Sequence, residues 1–82
     1  MKSITINRHG QGYISHCLAK KIIALKIKLV PIDRYNFIIV FDHKKLNTVY
    51  HNKRGTYVYC SKKLVPGKYI VNDRYEGRNS IG

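Results

Sequence analysis

Leu25-Lys26-Ile27-Lys28-Leu29-Val30-Pro31, followed by Asn36-Phe37-Ile38-Ile39-Val40-Phe41-Asp42, is the stretch that decides the fold. In its first part Leu25, Ile27 and Leu29 alternate with Lys26 and Lys28. That is period two rather than helical period, the pattern of a strand with one buried face. Upstream, Leu18, Ile22 and Leu25 recur at helical spacing behind Ser15, a residue suited to cap a helix N-terminus. A helix of about ten residues is therefore expected to give way to a strand near Leu25, the alternative being one longer helix. Pro31 ends either. The run from Phe37 to Phe41 is the most β-prone in the chain and is expected to be the central strand.

Working outward, residues 2–6 read as a short strand with Ile4 and Ile6 on one side. Residues 7–12 (Asn7-Arg8-His9-Gly10-Gln11-Gly12) read as a turn, after which Tyr13 and Ile14 resume strand pairing. Downstream, His43-Lys44-Lys45 is a turn and residues 46–51 run back as a strand, with Leu46, Thr48 and Tyr50 opposing Asn47, Val49 and His51. Asn52-Lys53-Arg54-Gly55 turns again into a strand over 56–60, in which Tyr57 and Tyr59 share a face. Val65-Pro66-Gly67-Lys68 is a turn signal before a last short strand at Tyr69-Ile70-Val71. Tyr13-Ile14-Ser15 before Lys20-Lys21-Ile22 is echoed by Tyr57-Val58-Tyr59-Cys60-Ser61 before Lys62-Lys63-Leu64, with a different spacing, as if two strand-to-helix junctions were equivalent.

The expected fold class is α+β: a small β-rich meander or partly open barrel with one short helix inserted after the first hairpin. One domain is expected over residues 1–71, with residues 72–82, polar or glycine almost throughout, as a loose C-terminal tail.

The chain has 82 residues, 16 Lys and Arg against four acids, and a formal charge of +12. So small a body buries a modest core, and its crowded cations repel one another. A densely anionic partner relieves that repulsion, and phosphate backbones are the commonest. An acidic protein partner and a merely basic surface are the alternatives. No apolar run is long enough to span a bilayer, and the first residues lack a secretory leader. An intracellular, cytoplasmic setting with reduced Cys17 and Cys60 is expected, either nucleoid-associated or inside an infected host cell.

Catalysis is not expected. Asp33 and Asp42 flank one strand at opposite ends, and Asp73 and Glu76 fall in the presumed tail, so no acid–base pair is evident. His16 and Cys17 are adjacent, and neighbours on a helix diverge by about 100°. The four His and two Cys lack metal-site spacing, and Gly10-Gln11-Gly12 lacks the Lys-Ser/Thr of a phosphate loop, so neither metal nor cofactor is expected.

The cations recur at turns and element ends as Arg8-His9, Lys20-Lys21, Lys26 with Lys28, Lys44-Lys45, Lys53-Arg54 and Lys62-Lys63. On a strand, Lys26 and Lys28 would stand about 7 Å apart on one face, near a phosphate spacing. Arg8 and Arg54, beside glycines, suit forked contacts to a base edge or phosphate. Tyr57 and Tyr59 between basic pairs are expected to form a face for stacking unpaired bases; half-buried strand tyrosines with wet hydroxyls are the alternative reading.

Ile4-Thr5-Ile6, the basic turn, Gly10-Gln11-Gly12-Tyr13-Ile14-Ser15 and Leu18 to Ile22 resemble the start of AbrB-type swapped-hairpin DNA-binding domains. The resemblance covers the N-terminal half. Ser15 stands where that family has a proline, and Ala24-Leu25-Lys26-Ile27 where it has a glycine-aspartate turn. It implies DNA contact through Arg8 and an interlocked homodimer. The expected function is a nucleic-acid-binding protein, DNA before RNA, that regulates transcription or organises DNA. The rival is a small phage or mobile-element inhibitor of a host nucleic-acid-processing or defence enzyme; a ribosome- or virion-associated structural role is a third reading.

Overall fold

The computed structural model describes residues 1–22, 26–41 and 47–81. Their order is β1 (Ser3–Ile6), β2 (Gln11–Ile14), α1 (His16–Ile22), β3 (Lys26–Pro31), β4 (Asn36–Phe41), β5 (Asn47–Thr48), β6 (Tyr50–Asn52), β7 (Gly55–Tyr59), β8 (Gly67–Val71) and β9 (Glu76–Asn79). All nine strands form one antiparallel sheet in the order β5-β3-β4-β9-β8-β1-β2-β7-β6. The outermost strands, β5 and β6, are consecutive in the chain with only buried Val49 between them. One bent segment thus pairs with β3 through its first half and with β7 through its second. The sheet curls into a nearly closed barrel, and Asn47 Nδ2 donates to Tyr59 O at 2.6 Å across the join.

Alternation sets inside and outside. Ile27 and Leu29 point inward while Lys26 and Lys28 point out; Phe37 and Ile39 point inward while Ile38 and Val40 point out. Ile4, Ile6, Ile14, Val58, Tyr69 and Val71 complete the lining. α1 adds Leu18, Ala19 and Ile22 to the same cluster, at the mouth where β2 ends and β3 begins. Leu64, from the β7–β8 connection, joins it from the other side. Among the described residues no helix is long and apolar enough to cross a membrane.

The β-rich class is as expected; several finer expectations are corrected. The loose tail expected over residues 72–82 is not what residues 72–81 form, because β9 sits between β4 and β8 with Gly77 and Asn79 buried, so the barrel runs past residue 71. Phe37 explains the space: a Cβ on Gly77 would lie 2.1 Å from its ring. The helix is described over His16–Ile22, and residues 23–25, where it is expected to give way to a strand, lie outside the described residues. Ser15 O accepts from Ala19 N, but its hydroxyl accepts from Ser3 N at 2.9 Å and donates to Met1 O, tying β1 to the helix start. Leu25, Asp42, the turn at His43-Lys44-Lys45 and Leu46 lie outside the described residues. The strand expected over 46–51 is broken at Val49, and no helix follows Ser61, so that junction does not match the one after Ser15.

A different internal likeness is present. In the β1–β2 turn Asn7 Oδ1 accepts from His9 N and Gln11 N, Asn7 Nδ2 donates to Gln11 Oε1, and Gly10 has φ +79°. In the β8–β9 turn Asn72 Oδ1 accepts from Arg74 N and Glu76 N, Asn72 Nδ2 donates to Glu76 Oε1, and Tyr75 has φ +59°. An asparagine that mimics a backbone turn, with a left-handed residue three positions on, builds both hairpins. They pair side by side through β1 and β8, with Ile4 opposite its own counterpart Tyr69. The line between these hairpins divides the sheet into the halves β6-β7-β2-β1 and β3-β4-β9-β8.

Candidate nucleic-acid interface

The outer faces of the two halves differ in chemistry. On β2, β7 and β6 the register sets Tyr13 opposite Tyr57 and Tyr57 opposite Tyr50, with Tyr59 next along β7. The rings form a row, with centroids 5.8 Å apart for Tyr59–Tyr50, 5.7 Å for Tyr50–Tyr57 and 5.5 Å for Tyr57–Tyr13. Tyr13 and Tyr59 are 43% and 54% exposed, so broad ring surface faces solvent. Gly55 holds one end of the row, since a Cβ there would fall 2.3 Å from the Tyr13 ring. The Tyr50 hydroxyl is pushed above the ordinary phenol range by desolvation first and by Tyr59 next, so it adds no negative charge near neutral pH.

Cations frame this row. Lys53 and Arg54 occupy the β6–β7 turn at one end. Arg8 and His9 lie in the β1–β2 turn at the other, where Gly10 abuts Lys62 and Cys60. Lys26 and Lys28 point outward from β3, beside the line where β3 and β7 approach without hydrogen-bonding. Lys28 and Lys63 line a cavity of about 330 Å³ along that line, with Asn47, Tyr59 and Ser61. It adjoins a second cavity, of about 510 Å³, bounded by Arg34, Lys62 and Lys63.

Of the three acids among the described residues, Asp73 and Glu76 stand elsewhere and Asp33 does not. Glu76 lies on β9, four strands from β7 in either direction when β5 and β6 are counted as one bent strand. Asp73, in the β8–β9 turn, pairs with the Lys2 ammonium, which lowers its carboxyl pKa first; Lys21 lowers it further. Asp33, in the β3–β4 turn beside the second cavity, is held below the usual carboxylate range by Tyr35 N–H at 2.7 Å and by the Asn36 amide.

Ten of the sequence-derived candidates thus lie around one face: Arg8, His9, Lys26, Lys28, Lys53, Arg54, Tyr57, Tyr59, Lys62 and Lys63. Lys20 and Lys21 do not join them, since α1 carries them and Lys21 acts on Asp73 instead. Lys44 and Lys45 lie outside the described residues. Sequence reasoning missed Tyr13, Tyr50, Arg34, Asn47 and Ser61. Tyr13 was recoverable, because alternation around inward Gly12 and Ile14 turns it outward; the others depend on pairings between distant segments.

Neither cysteine enters the row. Both are free, Cys17 exposed and Cys60 half-buried. Cys60 donates to Gly10 O, and burial pushes its thiol up to about 11, which suits packing rather than nucleophilic attack. Comparison with protein-family models, with curated proteins and with solved structures yields no match to this chain.

Proposed function

We propose that this protein binds nucleic acid through the tyrosine row and the cations around it. The observation that carries the reading is the row of Tyr13, Tyr50, Tyr57 and Tyr59 with Lys53 and Arg54 in the turn at one end and Lys28 and Lys63 lining the cavity at Tyr59; exposed Lys68, Arg74 and Arg78 lie elsewhere, on the half that carries Asp73 and Glu76. Ammonium groups there would displace counterions from phosphates, and ring faces would take up bases. DNA is favoured over RNA, in a role regulating transcription or organising DNA inside the cell. The likeness to AbrB-type domains belongs to this proposal: β1, β2, α1, β3 and β4 follow one another in that order, and Arg8 sits in the first turn. Gel shifts with duplex DNA, single-stranded DNA and RNA at two salt concentrations test it. Binding should weaken steeply with salt. Salt-insensitive binding, or none to any of the three, refutes it.

One observation favours a second reading, contact with another protein. Val30, Ile38 and Val40 are each 36–38% exposed on the outer faces of the adjacent strands β3 and β4, with Val30 opposite Ile38. A patch of aliphatics on a small basic body suits a protein neighbour, either a second copy in a homodimer or a host enzyme to be inhibited. Sedimentation of the pure chain separates these: a dimer supports the first, and a monomer that captures one host protein after nuclease treatment supports the second.

A further inference from the structure

The tyrosine row and the lysine-lined cavity meet at Tyr59, the last residue of β7, and their chemistries are complementary. The row offers ring faces and little charge, whereas the cavity offers Lys28 and Lys63 ammonium groups, the Ser61 hydroxyl and the Asn47 amide. Tyr59 belongs to both, lining the cavity and ending the row. At the other side of the row Gln11, Asn52 and Arg54 surround a pocket of about 110 Å³ beside Tyr50 and Tyr57. Those groups donate and accept in the manner a base edge requires.

We infer that the ligand is a single strand, with its phosphodiester backbone along the β3–β7 line at Lys28 and Lys63 and its bases laid on Tyr59, Tyr50, Tyr57 and Tyr13. This rests on the nucleic-acid reading above and deepens it. A duplex cannot use the row, because its base faces are covered by stacking and only edges reach the grooves. An unpaired strand offers both base faces and phosphates, and so can engage the rings and the ammonium groups that meet at Tyr59. Four rings in a row accommodate about two or three bases. Stacking tolerates any base, since each has a π-face, so discrimination falls to the pocket at Gln11, Asn52 and Arg54.

The test uses fluorescence anisotropy of the full chain with labelled twelve-residue probes: oligo-dT, oligo-U, a mixed duplex, and an abasic strand of equal charge. At one salt concentration oligo-dT or oligo-U should bind at least about tenfold more tightly than the duplex and the abasic strand, one stacked base being worth about 1–3 kcal/mol. The comparison of oligo-dT with oligo-U distinguishes DNA from RNA. Tyr59→Ala, at an exposed position that leaves the core intact, and Tyr57→Ala with Tyr59→Ala should bring oligo-dT toward the abasic strand's affinity without changing the latter. Lys28→Ala with Lys63→Ala should weaken all probes and flatten the salt dependence. Duplex binding as tight as oligo-dT, or an equal loss on the abasic strand in Tyr59→Ala, overturns the single-strand inference while the broader nucleic-acid reading stands. No binding to any probe overturns both.

Discussion

Asp33 shows how one side chain secures a turn. Its carboxylate accepts from Tyr35 N–H and from the Asn36 amide, and those bonds hold its pKa below the ordinary value. A carboxyl with a depressed folded-state pKa contributes stability that is present above the unfolded value, about 3.9, and is lost as pH falls through the folded one. Asp73, depressed by Lys2, acts in the same direction. Melting temperature should therefore drop below about pH 4, and Asp33→Asn should flatten part of that drop while costing little near pH 7. A series of melts between pH 2 and 7 checks this; an unchanged acid limb in Asp33→Asn would remove Asp33 from the account. Tyr50 is raised instead, so its neutral form persists into alkaline solution.

At the scale of elements, β9 is the instructive strand. Its inward positions are Gly77 and Asn79, so apolar alternation, the usual signal, is missing from Glu76-Gly77-Arg78-Asn79. The core there is filled from β4, where Phe37 lies over Gly77 and packs on Tyr69 at a centroid distance of 5.3 Å. Gly77→Ala should cost about 1–3 kcal/mol, because the added methyl meets a ring buried on all sides. Gly12→Ala should cost less, since the nearest atom to its Cβ is Ile4 Cγ2, at 2.9 Å. Urea titrations of both variants decide the ranking, and equal losses would refute this use of β9. The strands with inward aliphatics, Ile27 and Leu29 on β3 and Phe37 and Ile39 on β4, were legible from alternation alone. The pairing of β2 with β7 was not, because the register that brings Tyr13 onto Tyr57 joins residues 44 apart in the chain and depends on the whole barrel. Hence the cations and half of the tyrosine row were visible in the sequence, and the row itself was not.

At the scale of the whole molecule, charge dominates. A body measuring 30 × 26 × 26 Å holds a formal +12, and its 16 Lys and Arg face only four acids, of which Asp73 pairs with Lys2. Its cations repel at separations comparable with the Debye length, so added salt should stabilise the fold. Screening worth about 1 kcal/mol would raise Tm by about 4–8 °C in a chain of this size. A single-stranded oligonucleotide should raise it further at low salt by binding the folded state alone. Calorimetry with and without oligonucleotide at about 50 and about 500 mM NaCl, that is under weak and under strong screening, checks both effects; a Tm that falls with salt would contradict the repulsion argument.

The meeting of β5 and β6 at Val49 carries a consequence for crowding. Open sheets expose margins onto which a neighbouring chain can zip, which is how fibrils begin. Here the margins are folded back on each other, and the gap between β3 and β7 is fringed by Lys28, Lys63 and Pro31, the last with no N–H to offer. Molecules gathered densely along a polyanion would thus stay discrete beads rather than fuse into a cross-β thread.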